Sequence, residues 1–199
     1  LNMRKRAAIY QLDGSCEIDE GYFKHTDPLE TNEFTGQTEV LKRGKGSQKQ
    51  TTVFVSHSVG EVPLSLSESK HKHNTKAKYL KMSVIEEVTI ETIDAKVKEQ
   101  ISPESKITSD DNNAYNNLKN VVEKHEPHNM KVKCPGKVLP WVHKAISNSK
   151  SIIIAIHHGV SQTHLQNYLD EYCFKYNRRY FGERLFNRLL ASAVLYTWN

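Results

Sequence analysis

The sequence predicts an α/β domain built on a mixed five-stranded sheet, with flanking helices and a helical C-terminal region. Three strand patterns come before the first helical pattern, so these strands can pair as an antiparallel meander. The helix that precedes the fourth strand then allows a parallel crossover. The 199 residues, 37% of them hydrophobic, are enough for the core of one domain of ordinary size.

The first three strands are predicted from short segments rich in β-branched and aromatic residues. These segments are Ser15–Phe23, Thr51–Ser58 and Tyr79–Thr89. The intervening stretches 24–50 and 60–78 are polar, so we expect two long mobile loops there.

After the third strand the apolar residues recur every three or four positions, which predicts a helix ended by Pro103. The apolar stripe of this helix consists of Ile90, Ile93, Val97 and Ile101. A fourth strand is predicted at Ile107–Asp110, a second helix at Ala114–Glu123 and a fifth strand at Met130–Cys134.

The two ends of the chain have different patterns. Residues 1–14 have the pattern of the end of a basic helix and a turn, so we expect them to be the end of a preceding region or a linker. From about Leu139 onward the pattern is helical, with breaks near Gly159 and Gly182.

The composition argues against several classes of protein. No run approaches the ~18 consecutive apolar residues of a membrane span, and no apolar segment follows the charged N-terminus as in a signal peptide. The net charge of +5 suits a polyanionic partner. Cys16, Cys134 and Cys173 are far apart, which favours free thiols in a reducing compartment and argues against a cysteine zinc site.

Two aspartates on predicted strands are candidates for binding divalent metal ions. Asp19 shares a strand face with Glu17 and points away from Ile18. Asp110 ends the fourth strand. Carboxylates are preferred ligands of hard cations, and paired cations can activate both oxygens of a phosphodiester exchange. The local pattern leaves alternatives open, because Asp19 can face solvent and Asp110 can belong to a turn that caps a helix.

Five short motifs follow one another between about residues 12 and 195. They are Glu17-Ile18-Asp19-Glu20-Gly21-Tyr22-Phe23, then Ser109-Asp110 with Ala114-Tyr115, then Trp141-Val142-His143 with Ser147-Asn148 and Lys150, then His157-His158-Gly159-Val160-Ser161, and finally the block from Tyr168 to Arg179. In order and spacing they resemble bacterial insertion-sequence transposases of the DDE superfamily, which have the RNase H-like fold of retroviral integrases. The most similar branch has Asn-x-Lys at the third catalytic position.

The resemblance implies a set of catalytic residues. Asp19 and Asp110 would bind Mg²⁺ or Mn²⁺, and Asn148 would occupy the third position and offer its amide oxygen to the metal. Lys150 would contact a phosphate as a point charge. Without the resemblance, Asn148 has the pattern of an exposed helix residue. Glu171 is an alternative third acid, which we expect to orient basic side chains instead.

Basic residues near the C-terminus are candidates for contacts to DNA. A basic helix with interleaved aromatic residues suits the phosphate backbone, although its aromatic side chains can also face the core. Two further basic stretches lie at residues 131–144 and 42–45. The predicted DNA-binding residues are Lys175, Arg178, Arg179, Arg184 and Arg188.

The sequence contains ten histidines. The nearest pairs lack the spacing and the companion residues of a zinc site. His143 and His158 match motif positions, and each is predicted either to lie near the active site or to be packed and hydrogen-bonded. The two pairs are His125 with His128 and His71 with His73.

The resemblance implies a transposase catalytic domain over residues 15–199, which would cleave DNA at insertion-sequence ends and transfer the strands to target DNA. Its partners would be double-stranded terminal inverted repeats and target DNA, bound by a homodimer in the bacterial cytoplasm at the nucleoid. Another RNase H-like nuclease and a catalytically decayed DNA-binding remnant are the alternatives. Residues 151–156 favour the remnant, because they are mostly apolar where relatives more often have a basic residue and Trp or Gly. The expected absence of an N-terminal DNA-binding region also favours the remnant.

Overall fold

A computed structural model describes residues 3–4, 8–27, 47–61, 75–129 and 138–196. The strands are β1 (Ser15–Lys24), β2 (Gln50–Glu61), β3 (Thr75–Ile85), β4 (Lys106–Asp110) and β5 (Lys124–His128). The helices in these ranges of at least two turns are α1 (Ile90–Gln100), α2 (Pro140–His157), α3 (Gln162–Asn177) and α4 (Arg184–Tyr196). None of these helices is both long enough and apolar enough to cross a lipid bilayer.

The five strands form one mixed sheet in the order β3-β2-β1-β4-β5. β1 pairs with β2, and β2 with β3, in antiparallel fashion. β4 lies parallel to β1, and β5 parallel to β4. The predicted fold class is therefore confirmed, since this is the meander followed by parallel crossovers of an RNase H-like sheet.

Helices cover both faces of the sheet, so the protein has two cores. On one face, Phe23, Val55 and Leu80 pack beneath α2 and α3. On the other face, Ile18 and Phe54 pack beneath α1 and the turns that follow β4. β1 lies in the middle of the sheet and contributes side chains to both cores, because successive residues of a strand point to opposite faces.

The boundaries of two strands differ from the prediction. β3 spans Thr75–Ile85 rather than Tyr79–Thr89, and β2 extends to Gln50–Glu61. The chain leaves the sheet before Thr89 because the Thr89 side chain accepts a hydrogen bond from Thr92 N and caps α1. Strand residues thus occupy the ends of both predicted loops, whose central residues 28–46 and 62–74 lie outside the described ranges.

The helix predicted at Ala114–Glu123 is wrong. Two short 3₁₀ turns, Asn113–Tyr115 and Leu118–Asn120, take its place. Asparagine side chains compete with the helical backbone for hydrogen bonds. The Asn112 side chain, for example, accepts from Ala114 N and caps the first turn.

The fifth strand lies earlier than predicted. It is β5, at Lys124–His128, whereas the predicted segment Met130–Cys134 is outside the described ranges. Pro127 obscures this strand in the sequence, because proline cannot donate a hydrogen bond to a ladder. An edge strand tolerates it, and β5 lies at the edge of the sheet.

The predicted C-terminal helices and their two breaks are confirmed. α2 ends where His158 and Gly159 both have positive φ, and Gly182 has positive φ before α4. A Cβ at Gly159 would lie 2.3 Å from Thr26 Cγ2, so a larger residue is excluded at this turn.

His57 on β2 connects the sheet to α2 and α3. The neutral ring donates from Nδ1 to the Ser58 carbonyl at 2.8 Å and accepts at Nε2 from the Tyr176 hydroxyl at 2.9 Å. It also stacks on Trp141, with ring centroids 6.5 Å apart. The side chain is fully buried, and this burial lowers the pKa of His57 to about 4.

We expect the free energy of unfolding to fall as the pH drops from about 6.5 toward 4. In this interval the unfolded chain binds a proton at His57 that the native protein does not yet bind, so the native state loses up to about 3 kcal/mol from this group. Urea unfolding between pH 4.5 and 7 would measure the slope. His57→Phe cannot titrate and should give a shallower slope, and equal slopes for the two proteins would contradict the assignment.

Candidate functional site

Alternate residues of β1 point toward α2 and determine how that helix lies on the sheet. Glu17 and Asp19 contact the first turns of α2, and Gly21 lies opposite Ile146. A Cβ at Gly21 would lie 3.2 Å from Ile146 Cγ2 and 2.9 Å from the Phe23 ring, so glycine lets the helix approach closely. The predicted alternation, with Glu17 and Asp19 facing away from Ile18, agrees with these contacts.

Glu17 is buried and holds the N-terminus of α2. Its carboxylate accepts hydrogen bonds from Trp141 N at 2.8 Å and Val142 N at 2.9 Å. These N–H groups lie in the first turn of the helix, where the backbone offers no acceptor. Burial raises the pKa of Glu17 to about 7, while the two N–H donors oppose that rise.

Asp19 is the centre of the candidate site. Its Oδ1 accepts from the backbone N–H of Glu20 at 2.8 Å, and its Oδ2 lies 3.0 Å from His143 Nε2 on α2. The hydrogen bond with Asp19 raises the pKa of His143, against the opposing effect of burial. Both side chains are partly exposed, so the pair is accessible to a ligand.

Asp19, Glu20 and Asp110 form an acidic triad. One carboxylate oxygen from each lies within 4.8 Å of the other two. Asp110 comes close because β4 runs parallel to β1 and ends at this residue. The Glu20 carboxylate accepts a hydrogen bond of 2.7 Å from the Tyr115 hydroxyl, whose pKa is raised by burial. Three partly exposed carboxylates at this separation are a donor set that fits a hard divalent cation.

A buried serine and a histidine brace the end of β4. Ser109 Oγ donates to the Asp110 carbonyl at 2.7 Å, so His125 Nε2, at 2.8 Å from Oγ, must donate to the serine. His125 lies on β5, and burial lowers its pKa, which favours the neutral ring. This contact gives His125 a structural role beside the acidic triad.

Lys150 and Asn148 occupy different sides of α2. Lys150 is two turns after His143 and is half-buried, with its ammonium 5.4 Å from the Phe23 ring centroid. Burial lowers the pKa of Lys150, and the charge of Asp19 opposes this change. Asn148 is exposed and lies about 140° around the helix from His143, at about 100° per residue. No contact within the described ranges joins Asn148 to the acidic triad, so its assignment stays a prediction.

Glu171, the alternative third acid, lies elsewhere. It is on α3 and forms an ion pair with Lys175 one turn later. Within the described ranges it belongs to no metal-binding group with Asp19 or Asp110.

The closing motif of the sequence is largely structural. Asn177 is buried and binds both the N–H and the carbonyl of Leu80 on β3, at 2.7 and 2.8 Å. Arg179 donates to the carbonyls of Ala77 and Lys78 on the same strand. These contacts fasten the end of α3 to β3, which sequence reasoning missed.

Three of the other predicted DNA-binding residues are exposed. Arg184 and Arg188 are exposed on α4, and Arg188 stacks on Phe181. Lys175 is exposed and pairs with Glu171, while Arg178 packs on the Phe174 ring at 3.8 Å. The second and third basic stretches, apart from residues 138–144, lie outside the described ranges.

Comparison with known families identifies one match. A family model for the ISXO2-like transposase domain matches residues 11–177, from just before β1 to the last residue of α3. The matched segment contains the acidic triad, His143 and Lys150. A search of curated proteins finds no significant match.

We expect Glu17→Ala to lower the free energy of unfolding by about 1–3 kcal/mol, because two buried N–H groups of α2 lose their acceptor. Glu17→Gln keeps one acceptor oxygen and should cost less. Urea unfolding measures both changes. Glu86→Ala, at an exposed site after β3, is the matched control and should change stability by less than about 0.5 kcal/mol. An equally small effect of Glu17→Ala would refute the capping role.

Proposed function

The chain belongs to the family of ISXO2-like transposase domains, and we propose that it performs metal-dependent cleavage and transfer of DNA strands at insertion-sequence ends. Family membership makes it a transposase-type protein of the DDE superfamily. The observation that supports catalysis is the acidic triad, in which three carboxylates lie within 4.8 Å of one another where the end of β4 lies beside the middle of β1.

Asp19 and Asp110 would hold the divalent metal, Mg²⁺ or Mn²⁺. Both project from a sheet that fixes their backbone positions, and Tyr115 keeps Glu20 beside them. A bound divalent ion would supply Lewis-acid activation of the attacking oxygen and stabilise the leaving oxygen.

Lys150 would contact a phosphate of the bound strand. Its charge lies on the β1-facing side of α2, where the charge of Asp19 opposes the lowering of the pKa of Lys150 by burial. Asn148 would provide an amide oxygen at the third position if α2 turns or shifts when DNA binds, since the helix presents it to solvent here. His143 holds the position on α2 nearest to Asp19.

DNA would approach across the exposed basic residues of the C-terminal region. Arg184 and Arg188 are free to meet phosphates, whereas Arg179 is engaged with β3. We propose double-stranded inverted repeats and target DNA as partners, a homodimer on paired ends as the working assembly, and the bacterial cytoplasm and nucleoid as the setting.

Asp19→Asn and Asp110→Asn should each reduce Mg²⁺-dependent cleavage of insertion-sequence-end DNA by at least about 100-fold, because each removes a charged metal ligand. A gel assay with labelled end DNA measures the cleavage. Asp111→Asn is the matched control, since Asp111 is adjacent, acidic and exposed but outside the triad, and it should cleave as the parent does. Undiminished cleavage by the Asp19 and Asp110 variants would overturn the site.

The same assay separates the alternative functions. Preferential cleavage of an RNA–DNA hybrid would indicate another RNase H-like nuclease. Binding of end DNA without metal-dependent cleavage would indicate a catalytically decayed remnant, for which the mostly apolar residues 151–156 are the motivating observation.

Arg184→Ala with Arg188→Ala should weaken DNA binding about tenfold or more at low salt and reduce the dependence of affinity on salt, because phosphate contacts release counterions. Fluorescence anisotropy across a salt series measures both quantities. The control is Lys98→Ala with Lys119→Ala, which removes two exposed charges on and near the α1 side of the sheet. Equal losses in the two double variants would mean that only net charge matters.

A further inference from the structure

We propose that Glu20 is the third carboxylate ligand of the divalent ion, and that the hydroxyl of the buried Tyr115 positions it for that role. The inference rests on the proposed function for the presence of the ion and deepens it. It assigns the third ligand to β1 itself, next to Asp19 in the sequence. The metal site then does not depend on a movement of α2 to bring Asn148.

The separation of the three triad carboxylates suits a single ion. Oxygen ligands of one divalent cation lie about 3 to 5 Å apart, because each metal–oxygen bond measures about 2.0–2.6 Å. One oxygen from each of Asp19, Glu20 and Asp110 lies within 4.8 Å of the other two. Among the described residues, no other group of histidine, cysteine or acidic side chains comes together in this way. Glu20 therefore belongs to the site as closely as the two aspartates do.

Glu20 reaches the aspartates although it points to the opposite face of β1 from Asp19. β4 pairs with β1 up to Thr108, which lies opposite Glu17, and it ends two residues later at Asp110. Counted on from that pair, Glu20 lies one residue past the end of β4. No backbone of β4 separates the two faces of β1 at this point, so side chains from both faces can meet there.

The hydroxyl of Tyr115 holds the Glu20 carboxylate in this position. It donates a hydrogen bond of 2.7 Å to Glu20 Oε1, since a carboxylate can only accept. A glutamate side chain is long and loses considerable rotamer freedom when it is fixed, so a partner that orders it beforehand favours metal binding. A carboxylate has about four lone-pair positions, so this hydrogen bond leaves it able to bind a cation.

Tyr115 is itself held firmly. Its side chain is fully buried in the core that contains Ile18, on the α1 face of the sheet. Asn112 caps the 3₁₀ turn with its side chain, and its carbonyl accepts from Tyr115 N at 3.0 Å. The segment that leaves β4 thus carries a metal ligand, Asp110, and the group that positions another. Removing a hydrogen-bonding partner of a metal ligand typically lowers metal affinity by about 10–100-fold.

Titration calorimetry of Mn²⁺ with the full chain, in the absence of DNA, tests the role of Tyr115. Tyr115→Phe keeps the ring in the core and removes only the hydroxyl, so we expect the Mn²⁺ affinity to fall about tenfold or more. Tyr176→Phe is the matched control, because it removes a hydroxyl that donates to a buried side chain, His57, outside the triad. It should bind Mn²⁺ as the parent does.

A double-mutant cycle separates positioning from a general effect on the fold. Glu20→Met keeps a side chain of similar length without oxygen and should also weaken Mn²⁺ binding about tenfold or more. In that background Tyr115→Phe should have little further effect, because the group that it positions is gone.

Pulsed electron paramagnetic resonance of bound Mn²⁺ tests whether Glu20 is a ligand or only a nearby charge. The number of coordinated waters should rise in Glu20→Met, because water takes the place of the lost carboxylate. It should stay unchanged in Asp111→Asn, which removes an exposed acid outside the triad.

The outcomes distinguish this inference from the proposed function. A parent-like affinity in Tyr115→Phe, an equal loss in Tyr176→Phe, or additive losses in the cycle would overturn the positioning role. An unchanged water count in Glu20→Met overturns the ligand role and leaves metal binding by Asp19 and Asp110 intact. If the parent protein binds no Mn²⁺, the metal site itself fails, and the proposed function fails with it.

Discussion

The contact between β1 and the first turn of α2 is the constraint on which the candidate site depends. Two hydrogen bonds from the helix N-terminus reach the buried carboxylate of Glu17. Because Asp19 is two residues further along the same strand face, the contact also fixes which α2 residue stands beside it. That residue is His143, and Lys150 follows on the same side two turns later.

The burial of Glu17 and the closeness of the three triad carboxylates are unfavourable, and neighbouring groups offset part of this cost. Burial of Glu17 raises its pKa to about 7, while the two helix N–H groups and, to a smaller extent, the charges of His143 and Lys144 stabilise its charged form. The acidic triad adds repulsion among three carboxylates. His143 opposes that repulsion at Asp19, and the Tyr115 hydroxyl does so at Glu20. A divalent ion would compensate two of the three negative charges, which is the physical reason to expect metal binding here.

The order of the strands and the mixed sheet were predicted well from the sequence, because period-two patterns and the order of elements can be seen in it directly. The structure also brings the two candidate aspartates together, although their role stays a prediction. It failed where asparagine side chains replaced a helix with 3₁₀ turns, and where Pro127 concealed an edge strand. The role of Glu17 was also missed. A charged residue in a strand is usually interpreted as exposed to solvent. The hydrogen-bond partner of Glu17, the start of α2, lies more than a hundred residues away in the sequence.

Motif spacing and helix geometry point to different residues of α2 near the third position of the site. The resemblance points to Asn148, while the structure brings His143 to Asp19 on the same helix. Five residues separate the two, and at about 100° per residue they cannot face β1 together. To bring Asn148 to Asp19, α2 would have to rotate by more than a third of a turn on binding DNA. Rotation would break the Glu17 hydrogen bonds and remove Ile146 from Gly21, so the packed interface opposes such a rotation.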